Sequence, residues 1–482
     1  MATRNRLPQP RRRTLNRVLG IAALLAVLCC ALVLPCPDAQ ARRPDGSKSV
    51  RVAAGPSRVA LKGPDHPVTM AEAVGMSLRR NPSLGAQEAQ SRSSEEGRKS
   101  ARGAFGPKLG MTYTASKQER NSTPSTSRPP ELGTYSWAVE VSQTVFSGFA
   151  LLATYQKAAI QAQSDRIALR KAELDMTEQV QSNFLGYLQA EENTASQREA
   201  LARLRDQLRI TQAFFDVGLR PRLDVLQAEV DVSQAESVLI QAENTRDTTL
   251  AMLNTLLGLP VLAKVEYTGK LSHVPFRRNL EQCLEIAYRN RPDLQIAALA
   301  VDIASKDQRL AQSDYYPKID AYYNVTQDGN TPDLQMRGGG GFRDGVWEIG
   351  AKATWDVFQW GTTYYADRQA GWQVTRMRYE EENLKLSVGY DIKSKLLAVR
   401  EAEKRIAVAD KGVVQATEAY DVALARYQEQ VGTNFDVLDA SSKLLVAQSD
   451  LTSAKADYLT ALSQLYVAMG EFRPDLTREA PR

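Results

Sequence analysis

Apolar positions along the chain follow two periods, and the switch between them happens twice. Segments at about 70–104 and 279–314 are rich in Ala, Gln, Glu, Leu and Arg with apolar residues at helical spacing, which predicts helix up to a Pro-Lys element. The period then drops to two. Leu109, Met111, Tyr113 and Ala115 alternate in the first region, and Ile319, Ala321, Tyr323 and Val325 in the second. Returning runs follow at Trp137, Val139, Val141 and Val145, and at Trp347, Ile349, Ala351, Ala353, Trp355 and Val357. The opposite positions hold Thr112, Thr114, Glu140, Ser142 and Thr144, and Asp320, Asn324, Glu348 and Lys352. Strands are therefore expected at about 108–116, 135–146, 318–326 and 346–358, joined by turn-rich connectors from Asn121 to Pro130 and from Gln327 to Asp344.

Helix returns from about Ala150 to Ala213 and from Thr362 to Ala425, free of proline and with heptad-like apolar spacing. At 1.5 Å per residue, ~65 residues span roughly 100 Å. After a short turn, second helices follow over 222–257 and 434–469, about half as long. A half-length helix laid end to end with the first helix of the following copy matches one long helix. That arithmetic predicts a cylinder of antiparallel helices with coiled-coil packing.

The two regions are copies of one unit. Asn81-Pro82-Ser83-Leu84 recurs as Arg291-Pro292-Asp293-Leu294, and Pro107-Lys108 recurs as Pro317-Lys318, 210 positions on. Past the variable connector the offset becomes 212: Val145-Phe146 recurs as Val357-Phe358, Asp224-Val225-Leu226 as Asp436-Val437-Leu438, and Leu257-Gly258 as Met469-Gly470. The implied organisation is a leader over 1–41, a linker over 42–66, a first repeat over 67–260, an inter-repeat linker over 261–278, a second repeat over 279–472 and a tail over 473–482.

A strand face of aliphatic and aromatic residues opposite one of Glu, Lys, Asp, Thr and Ser fits a barrel wall between lipid and water. It also fits a hairpin packed on the protein's own core. Three features favour the barrel. The pattern occurs twice at the same repeat position, no later apolar helix follows, and aromatics gather near strand ends at Tyr135, Trp137, Phe146, Trp347, Phe358 and Trp360, as interfacial girdles do. Four strands cannot close a barrel, and open edges are intolerable in hydrocarbon. Three chains would supply twelve, enough to enclose a wet lumen.

Composition changes its meaning once its location is known. The 482 residues carry 61 Lys+Arg against 56 Asp+Glu, a net charge of +5 that invites an anionic partner. Arg4, Arg6, Arg11, Arg12, Arg13 and Arg17 against the single acid Asp38 account for that whole excess within residues 1–41. These arginines precede the apolar run Leu19 to Leu34 and the small residues Ala39 and Ala41, the order of a secretory signal with cleavage near Ala41. Cys29, Cys30 and Cys36 fall in that leader, leaving Cys283 and no internal disulfide. The remaining chain is electroneutral, which removes the argument for nucleic acid.

Catalytic chemistry is missing. His66 and His273 with Cys283 make no metal set, and the chain has no nucleophile elbow, Walker loop or metal-protease helix. Gly338 to Gly341 lack a following Gly-Lys-Ser/Thr and lie in a hairpin connector, so they read as an extracellular loop. No enzyme activity, cofactor or metal is expected.

Against this background the turn between long and short helix carries a resemblance. Copy one reads Phe215, Gly218, then Asp224-Val225-Leu226-Gln227-Ala228; copy two reads Tyr427, Val431-Gly432-Thr433, then Asp436-Val437-Leu438-Asp439-Ala440. Together with the duplicated helix–hairpin–helix organisation over about 68–472, this is similar to the TolC-type trimeric outer-membrane efflux channels. The resemblance implies a mainly α chain with a membrane β-barrel part: a long α-helical periplasmic barrel and a 12-stranded β-barrel shared by a homotrimer in outer-membrane lipid. It implies a passive exit duct for efflux or type I secretion. A periplasmic adaptor would dock on tip turns formed by Phe215, Gly218, Leu219, Val431, Gly432 and Thr433, and would link the duct to an inner-membrane pump, ABC or proton-driven. Asp436 and Asp439 would form acidic rings at the periplasmic aperture, with Asp224 and Tyr427 in the closing network. Crowding around one axis would raise their carboxylate pKa values and attract cations; the alternative for each aspartate is a helix N-cap or first-turn acid favoured by the dipole. Two departures stand out. The family's network Arg aligns with Gly432, and Gln430 takes the place matching Gly218, so Gly432 is expected to take over the turn. The competing functional readings are a periplasmic coiled-coil adaptor or scaffold without a barrel, and an envelope enzyme.

Overall fold

The computed structural model describes residues 66–118, 132–329 and 346–476, within one compact unit over Leu61–Arg482. The expected leader, its cysteines, the Asn121–Pro130 connector and the Gly338–Gly341 run lie outside the described residues. Copy one comprises α1 (Met70–Arg80), α2 (Pro82–Gly103), β1 (Lys108–Gln118), β2 (Leu132–Ser147), α3 (Ala150–Asp216) and α4 (Arg222–Leu256). Copy two repeats the order as α5 (Leu280–Asn290), α6 (Pro292–Gln312), β3 (Lys318–Gly329), β4 (Val346–Thr354), α7 (Thr362–Gln428) and α8 (Asn434–Ala468).

Local chemistry starts both copies in the same way. Thr69 and Asn279 each close a capping box, with Glu72 and Gln282 as the reciprocal partners. The first helical segment of each copy is then cut in two, where the periodicity suggested one helix. Proline excludes the preceding residue from the helical region, so Asn81 (ψ 123°) and Arg291 (ψ 120°) are extended, and Pro82 and Pro292 begin new helices at the position where a missing N–H costs nothing.

These breaks receive the ends of the half-length helices. The Asn81 amide and the Ser77 hydroxyl both donate to the Leu256 carbonyl at 2.9 Å, and Arg291 donates to the Ala468 carbonyl at 3.4 Å. Gly258 (φ 69°) and Gly470 (φ 72°) turn the chain just beyond α4 and α8. A Cβ at Gly258 would lie 2.9 Å from the Arg80 carbonyl oxygen, and one at Gly470 2.8 Å from that of Asn290. The end-to-end arrangement therefore exists, but each half-length helix meets the first segment of its own copy.

Helices α3 and α7 have 67 residues each, roughly 100 Å, and α4 and α8 have 35. Helix α3 packs along α2 and α6 near the sheet and along α4 and α8 beyond it, while α7 packs along α6 and α8. The main core is where the short helices and the inter-repeat linker cross the long ones. It joins Phe184, Leu185 and Leu188 of α3 to Cys283 and Ala287 of α5, Ile392 and Leu396 of α7, and Leu459 and Leu462 of α8. Cys283 is fully buried, and burial raises its thiol pKa, so it packs as a small apolar residue.

The four strands form one antiparallel sheet in the order β1-β2-β3-β4, so the inner pair, β2 and β3, joins the two copies. Its register lines up apolar rows across every strand: Met111, Val139, Val325 and Trp347 in one, and Leu109, Val141, Tyr323 and Ile349 in the next. The alternate rows are polar, as in Gly110, Glu140, Asn324 and Glu348. A bulge at Val145 shifts the ladder so that Phe146 pairs with Ile319 on the apolar face. The alternation over 346–358 outlasts the ladder: β4 ends at Thr354 opposite Lys318, because the next position of the partner strand is Pro317, which has no N–H to donate. Among the described residues no helix is long and apolar enough to cross a membrane.

Candidate functional site

The two helix–turn–helix tips are built alike from unlike residues. In the first, Gly218 (φ 79°) follows the end of α3; its N–H donates to the Phe215 carbonyl and that of Leu219 to Phe214, both at 2.8 Å. In the second, Gln430 takes the same left-handed conformation (φ 62°), and its N–H donates to the Tyr427 carbonyl at 3.1 Å. Gly432 therefore does not take over the turn. Its missing side chain serves close approach instead, since a Cβ there would sit 3.2 Å from both Cβ of Arg426 and N of Tyr427. A glutamine held left-handed costs about 1–2 kcal/mol relative to glycine, a strain the rest of the tip sustains.

What sustains it is a set of contacts between the hairpins. Tyr427 is fully buried, its hydroxyl 3.0 Å from Thr211 Oγ1 of α3 and its ring 5.7 Å from that of Phe214. Arg220, in the first turn, lays its guanidinium 5.0 Å from the Tyr427 ring centroid and donates through Nη2 to the Gly432 carbonyl at 2.8 Å. Deeper in, Gln207 Nε2 donates to Asn434 Oδ1 at 2.7 Å, with both residues buried. The second turn is thus tied to the first at three levels. Arg220 escaped the sequence reading; its only local signal was a basic residue two positions past Gly218, and its target lies 212 positions away.

The aspartates sit apart from this cluster. Asp436 closes a capping box at the start of α8: Oδ2 accepts from the Thr433 N–H at 3.0 Å and the Thr433 hydroxyl at 2.8 Å, while Thr433 Oγ1 accepts from the Asp436 N–H at 3.2 Å. The backbone hydrogen bond from Thr433 holds the Asp436 carboxyl below its ordinary range, so within one chain the shift runs opposite to the rise expected from crowding. Asp439 accepts from Lys443 at 2.7 Å, one turn further along. Asp224, in the first turn of α4, donates its N–H to the Pro221 carbonyl at 3.1 Å, and its carboxylate makes no hydrogen bond or ion pair among the described residues of its own chain.

Apolar side chains crown both tips. Val217 and Val431 are about 70% exposed and Leu219 about half, with Phe215 beside them. Further along, Val414, Val422 and Ala419 of α7 with Arg426, Gly432 and Asp436 line a groove of about 680 Å³, and Leu223, Leu226 and Val230 stand exposed on α4. Among the described residues no cluster of His, Cys, Asp and Glu could hold a metal ion.

Long helical hairpins carried on a four-stranded sheet with a lipid-type face define a membrane channel with a helical extension. The family described as outer membrane efflux protein matches residues 73–259 and 283–471, and this chain belongs to it. The outer membrane protein TolC of Vibrio cholerae serotype O1 is 25% identical over 411 residues, covering 83% of this chain and 90% of that one. The alkaline protease secretion protein AprF of Pseudomonas aeruginosa is 23% identical over 409 residues, covering 81% and 82%. Among solved structures, the CmeC outer membrane channel of Campylobacter jejuni superposes with a TM-score of 0.73 at 16% identity (83% of this chain, 85% of that one). The open state of the MtrE outer membrane channel of Neisseria gonorrhoeae gives 0.70 at 20% identity (83% and 89%). The protein is an outer-membrane exit duct of a family of channels rather than enzymes, and the reading as a barrel-less periplasmic adaptor falls away.

Proposed function

We propose that three copies of this chain close their sheets into a twelve-stranded barrel and their helices into a periplasmic tunnel, forming the passive duct of a tripartite system. The observation that supports this most directly is the sheet itself. Its apolar rows run to both edges, β1 and β4, and each edge leaves a row of backbone groups unpaired among the described residues of the chain. In hydrocarbon those groups need strand partners, which β4 of one copy and β1 of the next supply. The exposed stripes on α4 and α7 supply the matching helical contacts.

At the far end, the apolar crown of Phe215, Val217, Leu219 and Val431 fits docking by the helical hairpin of a periplasmic adaptor, with an inner-membrane ABC or proton-driven pump behind it. Opening the tip requires the α7–α8 hairpin to move relative to α3–α4 in each chain. Arg220 therefore acts as the latch, supplying from the first turn the cation that Gly432 lacks in the second. Asp436 and Asp439 together ring the aperture and draw cations toward it. Planar-bilayer recordings of the purified duct test the reading: a trimeric, heat-modifiable outer-membrane species should conduct, and Asp436→Ala with Asp439→Ala should weaken divalent-cation block. Unchanged block in that double variant would remove these residues from the constriction; recovery only as soluble periplasmic monomer would sink the duct.

A further inference from the structure

Just below the sheet lies a groove of about 470 Å³, bounded by Phe149 and Leu152 of the β2–α3 corner, Arg309 and Gln312 of α6, Tyr316, and Asp367 of α7. Its side of the wall follows from the register. Phe146 pairs with Ile319 on the apolar face, and Phe146, Phe149 and Tyr316 form an edge-to-face triad with centroids 5.5–6.4 Å apart. The groove is therefore continuous with the lipid-contacting face and lies at the strand ends, where the head groups of the periplasmic leaflet sit. It lies beneath β2 and β3, the inner strands, away from the edges where other copies add.

Two features make it more than an apolar corner. Phe149 is held left-handed (φ 69°) with 58% of its surface exposed, and at the equivalent corner of the second copy Trp360, which aligns with Gly148 rather than with Phe149, is also left-handed and exposed (φ 51°, 89%). The chain thus bears strain in both copies to present aromatic rings at this level, the behaviour of an interfacial belt. The polar wall, in turn, offers both signs of charge. Arg309 is exposed, with no side-chain partner among the described residues. Asp367 Oδ1 accepts from the amides of Gln308 and Gln312, both at 3.1 Å, which orients the carboxylate and leaves Oδ2 open.

We propose that this groove is a binding site for a zwitterionic membrane phospholipid carrying a free ammonium, with its phosphate on Arg309, its ammonium on Asp367 and an acyl chain along Leu152, Phe149 and Phe146. A purely anionic head group would leave Asp367 facing like charge. A soluble anion would leave the aromatic wall unused.

Native mass spectrometry of the detergent-purified full-length assembly, stripped of lipid and titrated with dioleoyl phosphatidylethanolamine, phosphatidylcholine and phosphatidylglycerol, tests the site. Phosphatidylethanolamine should bind several-fold more tightly than the other two. Arg309→Gln should weaken it about tenfold, as loss of one charge-assisted contact does. Asp367→Asn should abolish the preference over phosphatidylglycerol. Equal retention in Arg309→Gln and the parent overturns the proposal, and so does an intact preference in Asp367→Asn. Soluble glycerophosphoethanolamine binding as tightly as the lipid would assign the site to a free metabolite instead. A phosphatidylethanolamine with a photoreactive acyl chain checks the unmodified protein: labelling should fall on residues 146–156, and labelling confined to the sheet rows overturns the site.

Discussion

Replacing Arg220 with alanine is the sharpest perturbation of the tip. The substitution removes a charge-assisted hydrogen bond at 2.8 Å to the Gly432 carbonyl, worth about 1.5–3 kcal/mol. It also removes a cation–π contact at 5.0 Å to the Tyr427 ring, worth about 0.5–1 kcal/mol at a partly exposed site. Water replaces part of both, so about 2 kcal/mol per chain is a fair net figure, roughly a thirtyfold shift of one chain's turn–turn equilibrium. Three chains opening together sum to about 6 kcal/mol, comparable with the ~5.5 kcal/mol that inverts a 1:99 population. Single-channel recording in planar bilayers should then find Arg220→Ala predominantly open where the parent is predominantly closed. Arg220→Lys, which keeps the charge but loses the planar fork, should fall between them. A double-mutant cycle with Tyr427→Leu should return a coupling energy of about 0.5–1 kcal/mol per chain, the cation–π share. If Arg220→Ala assembles normally and keeps the parent's open fraction, contacts between the two turns do not govern closure.

Further outcomes follow from other parts of the chain. Gly432→Arg should not tighten closure, because its Cβ meets Arg426 and the Tyr427 backbone at 3.2 Å and its charge would face Arg220; bilayer open fraction reads the result. Gln430→Gly should stabilise the tip by about 1 kcal/mol by relieving a left-handed side chain, whereas Gly470→Ala should cost about 1–3 kcal/mol, since it combines φ 72° with a 2.8 Å approach to the Asn290 carbonyl; thermal melting of the assembly separates the two. The Asp436 carboxyl has a lowered pKa, so its capping contribution is complete above the ordinary carboxylate range and vanishes as pH falls through the lowered value. The melting penalty of Asp436→Asn should accordingly be present at neutral pH and shrink in acid. Val139→Arg, on the apolar face, should lose about 2–4 kcal/mol of barrel stability, while Glu140→Arg, one position on and facing the other way, should still assemble; outer-membrane yield of heat-modifiable species measures both.

The architecture was legible because it rests on periodicity and repetition. Alternation at Leu109 to Ala115 and at Trp347 to Ala353 marked the strands, the absence of proline marked the 67-residue helices, and the recurring Asn81-Pro82 and Arg291-Pro292 marked the duplication. The split of the first segment at those prolines was written in the same residues and was missed because apolar spacing continues across them. The tip was less legible. A turn aligned by glycine position led to Gly432, whereas left-handed geometry passed to Gln430, because the cost of one strained residue is smaller than that of rebuilding a turn held by Tyr427 and Arg220. Asp436 shows the opposite limit: one residue type serves equally as cap or ring charge, and only its 3.0 Å contact with the Thr433 amide reveals the first role.

The strand order has a consequence for mixed populations. Because β2 and β3 are spent joining the two copies, each chain offers the assembly two different ends, β1 and β4, and neighbours join head to tail rather than patch to identical patch. A chain with one spoiled end can still join through the other, but any ring that admits it stays open. In a cell making equal amounts of sound and spoiled chains, a ring of three drawn at random is wholly sound about one time in eight. A defect confined to one edge strand should therefore behave as a genetic dominant, silencing most of the normal product beside it.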